Sequence, residues 1–197
     1  MTPHDDISNE IRIDGRYFTY VFPCAWEDFC KIGFSRDPLS RIGTLHPRWF
    51  EFFDLQAGAL VEADTQRDAR DLELELRRPL RAHRAPAPLT IVERAGGKTE
   101  WVRGAHAPLV QALRDLAVGG HRVYPLRGWL QAAMLARVDR LYDWSAVQLP
   151  LGEHEFGVAN TPGHGVLRDT LDSYAALDID LAGRLPEHVW DWYRRQR

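Results

Sequence analysis

Tyr17 to Leu45 reads YFTYVF PCAWED FCKIGF SRDPLSRIGTL, and the order of residue types in this stretch decides the fold. Two aromatic and β-branched runs, Tyr17–Phe22 and Phe29–Phe34, stand on either side of a short polar loop. That is the pattern of a β-hairpin. Asp37 follows as a good N-cap, and Pro38 suits the first position of a helix. Leu39, Ile42 and Leu45 recur every three residues, which gives that helix one apolar stripe. Pro47 keeps it brief.

Working outward, Phe52–Val61 supplies a third strand, with Gly58 as its weak point. Thr65–Leu80 is the clearest helix, because Ala69, Leu72, Leu76 and Leu80 share one face. Pro79 should kink it or end its regular part. Four arginines at 77, 78, 81 and 84 follow, where cations complement the helix dipole. APAPL and then Gly96-Gly97 mark a loop or hairpin. Thr99–Val102 reads as a returning strand and Ala107–Val118 as a packing helix. Gly119-Gly120 is the best internal boundary, dividing a domain over 1–120 from a region over 121–197. Beyond it, Leu126–Trp144 has the spacing of one long amphipathic helix. Leu149–Gly165 is loop-rich, and Val166–Leu177 and Pro186–Arg195 suit short helices. The expectation is an α+β protein: a small three-stranded mixed sheet flanked by helices, then a mostly helical C-terminal region.

Composition excludes several classes. With 45% hydrophobic and 27% charged residues, the 197-residue chain is neither collagen-like nor mostly disordered. No apolar run is long enough to span a bilayer. The start, MTPHDDISNE, is polar and acidic, unlike a secretory signal peptide. A cytoplasmic location is therefore expected. Cys24 and Cys30 flank the hairpin loop, and reduced, packed thiols suit such a chain. Net charge is −3, with 16 basic and 18 acidic residues through Gly120 and 9 and 10 beyond it. Neither part binds nucleic acid through bulk charge alone.

Spacing carries the functional signal. Tyr20 and Lys31 are 11 positions apart, Lys31-Ile32-Gly33 closes the second run, and Arg41 lies eight beyond Gly33. Glu73, Leu76, Arg77, Leu80 and Arg84 follow on helical steps, and then Thr99-Glu100-Trp101-Val102. Over roughly Tyr17–Val118 this order resembles the GIY-YIG nuclease superfamily, in the branch whose second motif reads KIG. The first motif here is FTY, Lys31 stands where the second Tyr is usual, and Arg77 stands where the branch often has His.

The resemblance implies a metal-dependent DNA endonuclease with catalytic Tyr20, Lys31, Arg41 and Glu73. Phosphodiester hydrolysis needs an activated water, a counter-charge for the crowded phosphorus and help for the leaving oxygen. Glu73 would hold one Mg2+ or Mn2+, and Arg41 would hold a phosphate oxygen. Tyr20 would orient or deprotonate the water. Since its ordinary pKa is about 10, deprotonation requires neighbouring cations to lower it. Lys31 would supply such a charge or touch phosphate. Glu75 lies about 200° around the helix from Glu73, so only one can face the site; the motif spacing selects Glu73.

Plain structural roles stand beside these. Tyr20 on an aromatic strand can be packing, Arg41 can be solvated, and Glu73 can pair with Arg77 one turn away. The arginines 36, 41, 77, 78, 81 and 84 are the candidates for a nucleic-acid backbone, unless the last four simply cap a solvated helix end. Trp26 and Trp49 could stack on bases if exposed. His46, His83, His106, His154, His164 and His188 lack zinc-ligand spacing. The alternatives to a nuclease are a non-cleaving module that binds DNA or another partner, and a nuclease-type antibacterial toxin. DNA is the expected partner and a membrane is not. The C-terminal region is free to mediate a homodimer or dock a protein.

Overall fold

A computed structural model describes residues 11–91, 100–150 and 162–196. The expected lead, the Gly96-Gly97 turn and His154 lie outside them. Strands β1 (Tyr17–Pro23) and β2 (Phe29–Ser35) form the hairpin, and helix α1 (Pro38–Leu45) follows. The Asp37 carboxylate accepts from the Ser40 amide at 3.0 Å, so the cap is formed. A single turn, α2 (Trp49–Phe52), occupies part of the range expected as strand, and β3 is shorter, Ala59–Ala63. Asp54 is the reason. Its carboxylate accepts from the amides of Gln56 and Ala57, both at 3.0 Å, and folds the chain into a turn before Gly58.

Helix α3 (Gln66–Arg77) begins with a reciprocal capping box between Thr65 and Asp68. At Pro79 the regular helix gives way to a 3-10 segment, Arg78–His83. Then come β4 (Arg84–Ala85), β5 (Trp101–Arg103), α4 (His106–Val118) and β6 (Val123–Pro125). The expected long helix is divided into α5 (Leu126–Leu135), a 3-10 turn (Val138–Arg140) and α6 (Leu141–Gln148). Val138 and Leu141 remain buried through the break. The bend lets α6 pack on α7 (Pro162–Ala176) while the apolar stripe stays continuous. Gly163 and Gly165, expected in a loop, lie in the first turn of α7. Helix α8 (Glu187–Arg195) ends the fold.

The α+β class holds, but the sheet corrects the expectation of three mixed strands. Among the described residues it has six strands in the order β4-β5-β2-β1-β3-β6, and every pairing is antiparallel. The three outer strands have two or three residues each; β5 falls on the expected Thr99–Val102 run, while β4 and β6 are too short to leave a periodic signal.

Alternation along β1 creates two cores. Phe18, Tyr20 and Phe22 face a large aromatic cluster with Ile42 and Leu45 of α1, Trp129 of α5 and Leu171 of α7. Val21 faces a second cluster with Ile32, Leu72 and Leu76 of α3 and Leu113 of α4. Thr19 shares that face, and its hydroxyl donates to the Ala69 carbonyl at 2.7 Å. Helices α1 and α3 therefore lie on opposite sides of the sheet. Cys24 packs against the first cluster and Cys30 belongs to the second; both are free thiols, and burial pushes each up to about 12.

The chain beyond Gly120 is joined to the sheet. Strand β6 pairs with β3, and Arg137 donates to Asp37, the cap of α1, at 2.8 Å. Arg48 beside α2 donates to Asp169 and Asp172 of α7 at 2.6 and 3.1 Å. Trp129 is 1% exposed and its indole donates to the Arg12 carbonyl at 2.9 Å. A chain ending at Gly120 is accordingly expected to lose fixed aromatic packing. Near-UV circular dichroism of residues 1–120 should be nearly featureless, and a native-like spectrum would show that the first 120 residues fold alone.

Candidate functional site

The hairpin register sets the site. Tyr20 is paired with Gly33 and Phe22 with Lys31, so Tyr20 and Lys31 share one face of adjacent strands. Tyr20 stacks on Phe22, with ring centroids 4.2 Å apart, and its side chain lies across Gly33. A β-carbon at Gly33 would come within 2.4 Å of the Tyr20 hydroxyl oxygen and 2.6 Å of the ring. The glycine of the KIG triplet is thus required by space, since it provides the floor on which the phenol rests.

Helix α1 brings Arg41 to the phenol. Its Nε donates to the Tyr20 hydroxyl at 3.2 Å. Lys31 is fully buried, and its ammonium donates to the Glu100 carboxylate at 2.6 Å and lies 5.5 Å from the centroid of the Trp101 ring. Helix α3 turns Glu73 inward and Glu75 outward. Glu73 accepts from Arg77 at 2.6 Å, so the structural pairing envisaged for these two residues is present. The charges of Arg41, Glu100 and Glu73 all act on Tyr20, and those of Glu100, Arg41 and Glu73 act on Lys31. The four predicted residues therefore share one electrostatic neighbourhood, although Glu73 comes from the helix on the other side of the sheet.

Burial governs their ionisation. Desolvation pushes the Tyr20 phenol above its ordinary value, outweighing the lowering influence of Arg41. This corrects the expectation that neighbouring cations lower it: the hydroxyl is a protonated phenol at neutral pH. Desolvation likewise pushes Lys31 down against the raising influence of Glu100. It pushes Glu73 up, against the hydrogen bond from Arg77 and assisted by the negative charge of Glu100.

The proposed nucleic-acid arginines divide by exposure. Arg36, Arg78, Arg81 and Arg84 are exposed, whereas Arg41 and Arg77 are half-buried against Tyr20 and Glu73. Trp49 is buried in the aromatic core, and Trp26 in the hairpin loop is 87% exposed. Among the described residues, no group of three or more His, Cys, Asp or Glu side chains is arranged to hold a metal ion, and no helix is long and apolar enough to cross a membrane. A surface cavity of about 530 Å³ lies elsewhere, beside Glu62, Asp68 and Glu75.

Glu100 is the site residue that sequence reasoning missed. It was visible as part of the TEWV strand, but its role depends on β5 pairing with β2, a register between segments 69 residues apart. Trp101 accompanies it; the indole Nε1 is buried and meets no hydrogen-bond partner among the described residues.

No family model matches this chain, and no curated protein or solved structure matches it either.

Two outcomes are expected. Gly33→Ala should destabilise the protein by about 1–3 kcal/mol in urea unfolding, because the added methyl overpacks the Tyr20 ring; an unchanged midpoint would show that the ring is free to move aside. Glu73→Gln tests the carboxyl's displacement. A folded-state pKa above the unfolded one gives a contribution present below the unfolded value and lost as pH rises through the folded value. The Gln variant, which cannot ionise, should therefore gain stability relative to wild type as pH rises above the ordinary carboxylate range. A difference that does not change with pH would contradict an upward displacement of this carboxyl.

Proposed function

We propose that this chain is a metal-dependent DNA endonuclease built on a GIY-YIG-like core. The observation that carries the reading is the grouping of Tyr20, Lys31, Arg41 and Glu73, brought from two strands and two helices into one charge neighbourhood. Packing alone does not require that grouping. A strand core is built from apolar side chains, and ionisable groups are rarely buried without a partner or a task.

Each residue has a task set by its surroundings. Tyr20, protonated and accepting from Arg41, keeps its own O–H to aim at a water or a phosphate oxygen; it orients and does not act as a base. Arg41 brings a planar, permanently charged fork to a phosphate. Lys31 adds positive charge from below, with Glu100 holding its ammonium in place. Glu73 offers oxygen donors of the kind Mg2+ or Mn2+ prefers, and Glu100 adds negative potential beside it. Such a cation, when bound, polarises the phosphoryl oxygen and eases departure of the 3′ oxygen. The exposed Arg36, Arg78, Arg81 and Arg84 are suited to a nucleic-acid backbone.

One observation favours a second reading, a module that binds DNA or another partner without cutting it. Tyr20 and Lys31 are 1% and 0% exposed, so the reacting groups are sealed unless the site opens. A homodimer or protein partner through 121–197, and a toxin role, are further proposals on the same core.

Purified protein with Mg2+ or Mn2+ should nick supercoiled DNA. Glu73→Ala should reduce the rate at least a hundredfold while circular dichroism stays native. Cleavage unaffected by that substitution removes Glu73 from the site. Retention of DNA in EDTA, together with no cleavage in any metal, selects the binding module.

A further inference from the structure

We propose that the tip of the β1–β2 hairpin and the adjoining end of β5 form a platform for unpaired bases, with Trp26 stacking on a base and Arg103 meeting the phosphate beside it. The inference rests on the reading of this chain as acting on DNA. It names the form of DNA taken: a strand with unpaired nucleotides.

Trp26 stands in the hairpin loop and is 87% exposed, whereas every other tryptophan of the chain is buried or half-buried. The loop beneath it is pinned by backbone hydrogen bonds. The Cys24 amide donates to the Phe29 carbonyl at 2.8 Å, the Ala25 amide to the Phe52 carbonyl at 2.9 Å, and the Gly104 amide to the Asp28 carbonyl at 3.3 Å. The ring is thus held out to water on an ordered frame. A rigid indole loses little conformational freedom when it meets a ligand, and it brings a large contact area.

Register places a cation beside this ring. Arg103 is paired with Phe29 and Trp101 with Lys31, so Arg103 lies on the face that carries Tyr20 and Lys31, one residue pair nearer the hairpin tip. That step is about 7 Å along the sheet. The face is closed over Lys31 and opens at the half-buried Phe29. There the exposed Arg103 guanidinium lies 5.6 Å from the centroid of the Phe29 ring, a cation–π contact that leaves its N–H edge for a phosphate. The His83 ring donates from Nδ1 to the Arg103 carbonyl at 2.9 Å, which fixes the segment bearing the exposed Arg81 and Arg84 to the same end of the sheet. The loop also carries Glu27 and Asp28, both exposed, and the Asp28 carboxylate is turned toward Gly104 and His83. Arginines outnumber acids here only slightly, so charge alone does not hold a strand and the ring has to carry part of the affinity. Duplex DNA hides its base faces in the stack. Unpaired bases present theirs, and an aromatic ring accepts any of them.

The test measures binding of a short fluorescein-labelled oligothymidylate to the full chain by anisotropy in EDTA, beside a duplex of the same length. Wild type should hold the single strand more tightly than the duplex. Trp26→Ala should weaken single-strand binding about fivefold or more, with duplex binding and melting temperature unchanged. Trp26→Phe should recover part of the loss. Arg103→Gln should also bind more weakly and lower the salt slope by about 0.7. A strand made of abasic sites should bind wild type no better than it binds Trp26→Ala. Single-strand affinity unchanged in Trp26→Ala overturns the platform, as do equal losses on single strand and duplex. Wild type that binds no single strand overturns it too, the result expected of a ring that docks on protein. If wild type nicks DNA with Mg2+ or Mn2+ while Trp26→Ala binds the oligonucleotide as wild type does, the platform fails and the nuclease reading stands. If single-strand binding depends on Trp26 but neither metal supports cleavage, the platform stands and the nuclease reading fails.

Discussion

The contact between the Tyr20 side chain and Gly33 is the constraint on which the rest of the site depends. It requires a bare backbone on β2 opposite a long aromatic side chain on β1, and it holds the phenol hydroxyl within reach of Arg41. Stacking on Phe22 fixes the ring from the other side. Because pairing registers alternate faces, the same arrangement places Lys31 beside the phenol and sends Val21 and Ile32 into the opposite core. One residue without a side chain thus specifies both the hairpin register and the location of the polar groups.

Charge inside the protein is balanced in short-range pairs. Lys31 is enclosed with Glu100, and Glu73 with Arg77. Such pairs contribute little net stability compared with apolar replacements, since desolvation offsets most of the attraction. Breaking one partner is a different matter, because it strands the other charge in a place water does not reach. Buried pairs of this kind are accordingly poor devices for stability and better suited to holding polar groups in a fixed order. The same logic explains why the phenol and the carboxyl of Glu73 are both displaced toward their neutral forms.

The elements readable from sequence are those whose signals are local. The hairpin follows from two apolar runs across a polar loop, α1 from Asp37-Pro38 and a three-residue stripe, and the end of α3 from Pro79. That only one of Glu73 and Glu75 could face inward was legible because a helix fixes the angle between them. What escaped reading depended on distant segments. Strands β4 and β6 exist because longer neighbours offer them an edge. Glu100 reaches Lys31 only through the β5–β2 register. The break after Leu135 has no Gly or Pro to announce it and is set by how α6 meets α7. The burial of Tyr20 likewise depends on the aromatic cluster that Trp129 and its neighbours complete from the far end of the chain.

The outer strands have a consequence for the behaviour of the protein in solution. Among the described residues the sheet ends on one side in the two-residue β4 and on the other in the three-residue β6, which carries Pro125. An edge this short offers few unpaired amides and carbonyls to another copy, and a proline withholds one donor outright. The long, apolar central strands are shielded from intermolecular pairing by these stubs. Among the described residues, strand addition by another copy is thereby given little edge to pair with.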